Sequence, residues 1–152
     1  MPLSDLVASQ AVIPALKVNN KKQALQEISA RAAELTGMAE REIFEIIQQR
    51  EKLGSTGIGN GIAIPHGKLA KLQRLFGLFA RLDRPIDFES LDGQPVDLVF
   101  LLLAPEAAGA DHLKALAQVA RLLRTPETAK MLRDSRDAEA IYAVLTLPPP
   151  GG

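Results

Sequence analysis

The first part of the chain has a short apolar segment followed by a longer one with helical spacing. Residues Ala11 to Val18 are largely apolar but include Pro14, which cannot donate to a neighbouring strand, so they predict a strand at a sheet edge. From Lys21 to Thr36, apolar residues recur every three or four positions. Because Asn19 and Asn20 can cap a helix and Gly37 suits its end, this pattern predicts a helix over that range.

A second helix is predicted from about Ala39 to Lys52, with Gly54 just beyond its end. The apolar residues expected on its buried side are Ile43, Phe44, Ile46 and Ile47. Arg50 is therefore expected in the last turn of this helix, next to a glycine-rich segment.

Two apolar segments in the second half of the chain predict strands. They run from Leu75 to Leu82 and from Val96 to Leu103, and a polar segment separates them. Because Leu98 to Leu103 does not alternate between apolar and polar residues, we expect it to form a central strand covered on both faces.

The remaining segments predict three helices. Asp111 is expected to cap a helix that reaches about Arg124, and two shorter helices are expected from about Pro126 to Arg133 and from Asp137 to Leu145. The stripe expected to be buried on the first of these helices is Leu113, Leu116, Ala117, Ala120 and Leu123. His112 is expected at an exposed helix start.

Helices that precede, interrupt and follow the strands predict an α/β fold: a single domain with a mixed β-sheet flanked by helices. The 152 residues are enough for one domain with its own hydrophobic core. We expect this domain to cover residues 1–147 and the proline- and glycine-containing tail, residues 148–152, to be disordered.

Composition argues against several classes of protein. The 18 basic residues balance the 18 acidic ones, so the overall positive field of a nucleic-acid binder is missing. The absence of cysteine excludes disulfides, thiolate metal sites and a catalytic thiol. The longest apolar run, Leu98 to Ala104, is too short to span a bilayer. We therefore expect a cytoplasmic protein without membrane insertion.

The segment from Arg50 to Lys68, REKLGSTGIGNGIAIPHGK, is the strongest candidate for a site. It contains four closely spaced glycines: Gly54, Gly57, Gly59 and Gly61. Glycine loses more backbone freedom on folding than any other residue, so such a loop indicates that the backbone approaches a bulky or anionic group closely. A short apolar run then leads to His66, which lies between a proline and a glycine.

Known glycine-rich and catalytic motifs do not fit this segment. Counting from Gly57 or Gly59, isoleucine stands where a dinucleotide fingerprint needs its last glycine, and Ile62 stands where a Walker loop needs its first. Ser55 lacks the flanking glycines of a hydrolase nucleophile. The two histidines do not have metal-ligand spacing, so no metal site and no cofactor are expected.

The context of His66 favours a chemical role over a purely structural one. A neutral imidazole nitrogen attacks phosphorus without a separate base and forms a phosphoramidate. Arg50 carries a planar guanidinium suited to phosphoryl oxygens, although on position alone it is equally explained as a cation that complements the helix dipole. His112, taken alone, is more simply explained as a capping residue, but a neutral ring near a helix start also directs an N–H at an anion. Spacing alone does not show that the three meet.

These residues resemble a known family. GSTGIGNGIAIPHGK, with Arg50 upstream and the pair His112-Leu113 downstream, closely resembles the IIA domains of the fructose and mannitol branch of the bacterial phosphoenolpyruvate-dependent phosphotransferase system, and most of all its nitrogen-regulatory IIA proteins. Other segments are also similar: Lys21-Lys22-x-Ala-Leu, Arg50-Glu51-Lys52, Pro85-Ile86-x-Phe88 and Pro95-Val96-Asp97-Leu98.

The resemblance implies a mixed sheet flanked by helices and a phosphohistidine on Nε2 of His66. It implies that a carrier protein, HPr or its nitrogen-branch relative NPr, donates the phosphoryl group, and that Arg50 and His112 help to form the site. Ser55, Thr56 and Asn60 match the family motif and are candidates for supporting the site, although short polar side chains also cap loops.

The resulting hypothesis is a cytoplasmic regulatory phosphocarrier of the nitrogen branch. Its regulatory targets, by family resemblance, are potassium-transport or sensor-kinase proteins, and regulation is favoured because no sugar-specific transport domain follows. Two alternatives stay open: a stand-alone IIA component of a fructose-type sugar transporter, and a binding module that is not phosphorylated. Ile58, Leu69 and Leu72 are candidates for an apolar rim that contacts the donor.

Overall fold

The strand formed by Val96–Pro105 lies inside a six-stranded sheet with helices packed around it. The structure, a computed structural model, describes residues 2–147. The strands are β1 (Val7–Leu16), β2 (Gly57–Gly59), β3 (Ile62–Ala63), β4 (His66–Leu69), β5 (Phe76–Ile86) and β6 (Val96–Pro105). The α-helices are α1 (Lys21–Thr36), α2 (Glu40–Lys52), α3 (Ala110–Arg124), α4 (Pro126–Asp134) and α5 (Ala138–Leu145). The predicted disordered tail, residues 148–152, lies outside the described residues.

The sheet is mixed, as predicted. Its strand order is β1-β5-β6-β3-β2, with β4 also paired to β6. One edge of β6 pairs antiparallel with β5, and the other edge pairs parallel with β3 and then β4. The side chains from Leu98 to Ala104 are all 0% exposed, which confirms the prediction of a strand covered on both faces.

The first strand is at a sheet edge, as Pro14 predicted, but its bounds differ from those expected. It begins at Val7 and ends at Leu16. Residues 8–10 are exposed and none has a bulky apolar side chain, so the hydrophobic pattern did not identify this part of the strand. Pro14 falls where the register against β5 shifts, at a position where a missing N–H is tolerated.

The bounds predicted for the first helix are confirmed. Asn20 precedes α1, and its side chain accepts a hydrogen bond from the backbone N–H of Gln23 at 2.9 Å. Gly37 ends the helix in the left-handed region, with φ 76°, and its N–H donates to the Ala33 carbonyl. Both ends are therefore specified by local hydrogen bonds.

Helix α3 departs from the prediction in two respects. Asp111 is not its N-cap, because the helix begins at Ala110 and Gly109, with φ 55°, precedes it. The buried face consists of His112, Ala115, Val119 and Leu123. Leu113, from the predicted stripe, is 67% exposed. Both the predicted stripe, which contains Leu113, and the stripe that contains His112 have helical spacing. Packing on the sheet buries the stripe that contains His112.

The last two helices begin as their sequences predict. Pro126 occupies the first turn of α4, and the Asp137 side chain caps α5 by accepting from the N–H of Ala140 at 3.0 Å. Across residues 2–147, no helix combines the length and the apolar character that crossing a membrane requires.

Candidate functional site

His66 is the first residue of β4, a strand that the sequence pattern did not predict. It pairs with Leu102 of β6, and the Pro65 carbonyl accepts from the N–H of Leu102 at 2.9 Å. The segment His-Gly-Lys-Leu has no clear strand preference, so its conformation is imposed by the neighbouring strand. The backbone beneath the imidazole is therefore held by pairing with β6.

Gly67 allows α2 to pack directly on this strand. A Cβ atom at Gly67 would lie 2.3 Å from Cγ2 of Ile46, which is far inside van der Waals contact. Any larger residue would therefore force the Ile46 side chain or the helix to shift. The close packing brings Arg50, in the last turn of α2, to the side chain of His66.

Both nitrogens of the His66 ring have defined partners. Nδ1 lies 2.8 Å from the Ile64 carbonyl oxygen, which only accepts, so Nδ1 carries the proton. Nε2 is therefore unprotonated, and its lone pair accepts a hydrogen bond from Nε of Arg50 at 3.2 Å. The two partners specify the same neutral tautomer, with Nε2 as the nucleophilic nitrogen.

The electrostatics of the site also favour the neutral ring. Burial lowers the pKa of His66 below its ordinary 6.5, and the Arg50 cation lowers the pKa further. The Ile64 carbonyl and the Glu51 carboxylate act in the opposite direction without reversing the shift. His66 is therefore neutral at physiological pH.

Arg50 is held at two points. Besides the contact with His66, it donates from a terminal nitrogen to the Gly54 carbonyl at 2.8 Å. Gly54 follows α2, so the guanidinium spans the end of the helix and the imidazole. This geometry presents a delocalised positive charge at Nε2.

His112 lies beside His66, with the ring centroids 5.7 Å apart and the planes inclined by 64°. It is 7% exposed, so the expectation of an exposed helix start is wrong: α3 turns this residue toward the sheet. Burial lowers the pKa of His112, as do the neighbouring His66 and Lys68. Among residues 2–147, no group hydrogen-bonds to its buried Nε2. The structure thus brings Arg50, His66 and His112 together.

Ser55 and Thr56 shape the segment between α2 and β2. The Ser55 hydroxyl donates to the Phe88 carbonyl at 2.5 Å and accepts from the N–H of Gly57 at 3.0 Å. Thr56 donates both its backbone N–H, at 3.1 Å, and its hydroxyl to the carboxylate of Glu51. These bonds match the loop-capping explanation of the two side chains.

Asn60 forms the turn between β2 and β3 together with Gly61. Their φ angles are 57° and 78°, and positive φ at both central positions is the pattern for which Asn-Gly is preferred in hairpins. The Asn60 N–H donates to the Asp92 carboxylate at 2.9 Å, and its carbonyl accepts from Arg133 at 2.6 Å. The backbone of Asn60 therefore has a structural role in the hairpin.

Two charged residues beneath the site were missed by the sequence analysis. Glu51 is 8% exposed and lies 2.9 Å from the ammonium of Lys21, which in turn is 4.9 Å from the centre of the Phe88 ring. The sequence did contain a signal for the burial of Glu51, because this residue continues the helical spacing of the buried Ile43 and Ile47. Its charge kept it out of a core predicted from apolar residues alone.

One expected rim residue does not reach the surface. Leu69 is 0% exposed because pairing of β4 with β6 carries it into the core, so its assignment to the rim was wrong. Ile58 and Leu72 are half-buried.

Within residues 2–147, no group of three or more histidine or acidic side chains is arranged to hold a metal ion.

Comparison with known proteins gives consistent matches along the chain. Residues 5–147 match the family described as "Phosphoenolpyruvate-dependent sugar phosphotransferase system, EIIA 2". The chain is 74% identical over 149 residues to a nitrogen regulatory protein of Bradyrhizobium diazoefficiens, covering 98% of this chain and 97% of the relative. It is 42% identical over 147 residues to that of Klebsiella oxytoca, covering 96% and 91%.

Solved structures agree with these matches. The nitrogen regulatory protein IIA-Ntr from Neisseria meningitidis superposes with a TM-score of 0.90 at 33% identity, covering 95% of this chain and 99% of that one. The mannitol IIA protein of Escherichia coli, at 18% identity and TM-score 0.77, shares the fold, covering 91% of this chain and 97% of its own. The chain therefore belongs to the EIIA 2 family of the phosphoenolpyruvate-dependent phosphotransferase system, among relatives named nitrogen regulatory proteins.

Proposed function

We propose that this protein is a regulatory phosphocarrier that accepts a phosphoryl group on Nε2 of His66 from the phosphohistidine of NPr or HPr. The observation that carries the proposal is the orientation of the ring. The Ile64 carbonyl holds the proton on Nδ1, and this leaves the Nε2 lone pair facing the Arg50 guanidinium. A nucleophile and a cation for the transferred group thus meet at one atom.

The transfer step needs no separate base, because the attacking nitrogen carries no proton. Nε2 of neutral His66 attacks the phosphorus of a donor phosphoimidazolium, a P–N bond forms to Nε2, and the donor's P–N bond breaks. Its electron pair returns to the donor ring, which leaves as neutral imidazole. His66 becomes the phosphoimidazolium and keeps its Nδ1 proton on the Ile64 carbonyl.

Arg50 and His112 then act on the phosphoryl oxygens. When Nε2 is bonded to phosphorus it no longer accepts from Arg50, so the guanidinium turns its donors to the dianionic group. His112 has an unpaired, buried Nε2, and its ring lies beside the acceptor ring, so we propose that a proton on this nitrogen donates to the same group once the phosphoryl group is bound. Both donors act in a partly buried site, where they stabilise charge more strongly than they would in water.

The regulatory part of the proposal rests on similarity. The relatives with 74% and 42% identity are nitrogen regulatory proteins, whereas a fructose-specific EIIABC component of Bacillus subtilis is 34% identical and this chain spans 23% of its length. The phosphorylation state of His66 would then be the signal that target proteins recognise. A cytoplasmic location stays a prediction from composition.

Phosphate mapping tests the proposal directly. The purified protein is incubated with phosphoenolpyruvate, enzyme I and either NPr or HPr, and phosphorus NMR and peptide mapping locate the product. We expect an acid-labile, alkali-stable phosphoramidate on His66 and no label in His66→Ala. Absence of phosphorylation, or label on Ser55 or in His66→Ala, would overturn the assignment.

A further inference from the structure

Glu51 is the buried carboxylate immediately after Arg50, and its contacts lead to the other side of His66. Its side chain is 5% exposed and binds three donors: the ammonium of Lys21 at 2.9 Å, the N–H of Thr56 at 3.1 Å and the Thr56 hydroxyl. A buried carboxylate with this many donors is strongly held, since each donor offsets part of its desolvation.

A continuous series of hydrogen bonds connects this carboxylate to the imidazole. Glu51 holds Thr56, and the Thr56 carbonyl accepts from the N–H of Ile64 at 3.0 Å. The Ile64 carbonyl in turn accepts from Nδ1 of His66 at 2.8 Å. The oxygen that selects the tautomer is therefore linked to Glu51 through Thr56.

We infer that Glu51 is a positioning residue that holds His66 in the Nδ1–H tautomer through Thr56 and Ile64, an inference that rests on the proposed function of His66 as acceptor. Two consecutive residues of α2 then control the two ring nitrogens. Arg50 acts directly on Nε2, and Glu51 acts indirectly on Nδ1. Lys21 completes the unit by tying the start of α1 to the carboxylate, with its Nζ 4.9 Å from the centre of the Phe88 ring.

The inference is tested with Glu51→Gln, which preserves the shape of the side chain. A carboxamide carries no charge, so it holds the Lys21 ammonium less strongly, and its nitrogen only donates, so the Thr56 hydroxyl has to reverse from donor to acceptor. Groups that orient a histidine from outside the site typically contribute tenfold to a hundredfold to activity at metal centres. We expect phosphotransfer to His66 to slow by roughly the same factor.

The decisive readout is the tautomer, measured by nitrogen-15 NMR of the His66 ring in the unphosphorylated full-length protein. We expect Nδ1–H to dominate in the parent and to lose population in Glu51→Gln. A matched control is Asp97→Asn, which removes the charge of a partly buried carboxylate paired with Arg133. This pair lies beside Asn60, at the turn between β2 and β3 and away from Thr56. The control is expected to keep the parent tautomer even where it lowers stability.

A second pair of variants keeps the test decisive if Glu51→Gln does not fold. Thr56→Val removes the hydroxyl donor but keeps the backbone N–H, and Thr56→Ser restores the hydroxyl. We expect a partial tautomer shift and slower transfer in the first, and parent behaviour in the second. A parent-like ring spectrum in Glu51→Gln, or in Thr56→Val where the first variant is unfolded, overturns the inference, even if transfer is slower.

The two proposals fail separately. If the parent protein accepts no phosphoryl group, the proposed function is wrong, yet the tautomer comparison still tests the role of Glu51. If the parent is phosphorylated normally and folded Glu51→Gln has the parent rate and spectrum, the positioning role is wrong and the phosphocarrier proposal stands.

Discussion

Arg50 donates from its Nε to Nε2 of His66 across 3.2 Å, at the ring nitrogen that the Ile64 carbonyl leaves free. The bond uses the lone pair that would attack phosphorus. Phosphorylation of Nε2 and this hydrogen bond therefore exclude each other. As transfer proceeds, Arg50 has to change its hydrogen-bond acceptor from the ring nitrogen to the phosphoryl oxygens.

Replacing Arg50 by alanine should slow phosphorylation of His66. The guanidinium is a donor held in place by the Gly54 carbonyl, and removal of one preorganised donor typically costs about a hundredfold or more in rate. Arg50→Lys should recover part of the rate, because an ammonium supplies charge without the planar fork. Rapid-quench kinetics with one phosphorylated donor measure both. A parent rate in Arg50→Ala would make the arginine purely structural.

Replacing His112 by alanine should lower both the rate and the stability. The ring is 7% exposed, so its removal leaves a cavity between α3 and the sheet, and the free energy of unfolding should fall by about 1–3 kcal/mol. His112→Gln should be milder in rate, because its amide still donates. Urea unfolding and transfer kinetics are measured on the same samples. Full activity in a folded His112→Ala protein would contradict a role in transfer.

The pKa of His66 should lie below the ordinary histidine value of 6.5, because the ring is partly buried and faces a cation. Protonation of Nε2 blocks its attack on phosphorus. His66 should therefore still accept the phosphoryl group as pH falls toward 6.5 and should lose this ability only below that pH. Arg50→Ala should raise the midpoint, since it removes one cause of the depression. An NMR titration of His66 gives both values. A midpoint at or above 6.5 in the parent would contradict this account.

Phospho-NPr should phosphorylate the protein faster than phospho-HPr from the same organism, because the relatives at 74% and 42% identity are nitrogen regulatory proteins. The rate ratio should depend only modestly on salt, since 18 basic residues balance 18 acidic ones. Side-by-side transfer kinetics at two salt concentrations provide the measurement. Equal rates, or a preference for HPr with onward transfer to a sugar-specific IIB, would support the transport alternative.

A companion experiment tests the apolar rim. Leu72→Ala should slow transfer from either donor, because Leu72 is half-buried at a surface expected to contact the donor. Met131→Ala, on α4 and 49% exposed, is the matched control and should transfer at the parent rate. Equal effects of the two substitutions would rule out a specific contact at Leu72.

Local signals in the sequence were enough to predict the ends of α1 and the candidate nucleophile. The bounds of α1 were predictable because Asn20 and Gly37 act through hydrogen bonds within a few residues. The central strand was predictable because its continuous apolar run has to be covered on both faces. His66 was recognisable from its glycine-rich context, which belongs to one continuous segment.

The tertiary structure decided the features that depend on distant neighbours. Strand β4 exists because β6 offers a free edge, and α2 reaches it because Gly67 leaves room for Ile46. The inward rotation of His112 was chosen by packing, since α3 has two stripes with helical spacing. Glu51 is buried because Lys21 and Thr56 supply donors from other segments. The spacing of residues along the chain predicts one element at a time. The geometry around Nε2 of His66 arises where four segments meet: α2, the segment that contains Ile64, β4 and α3.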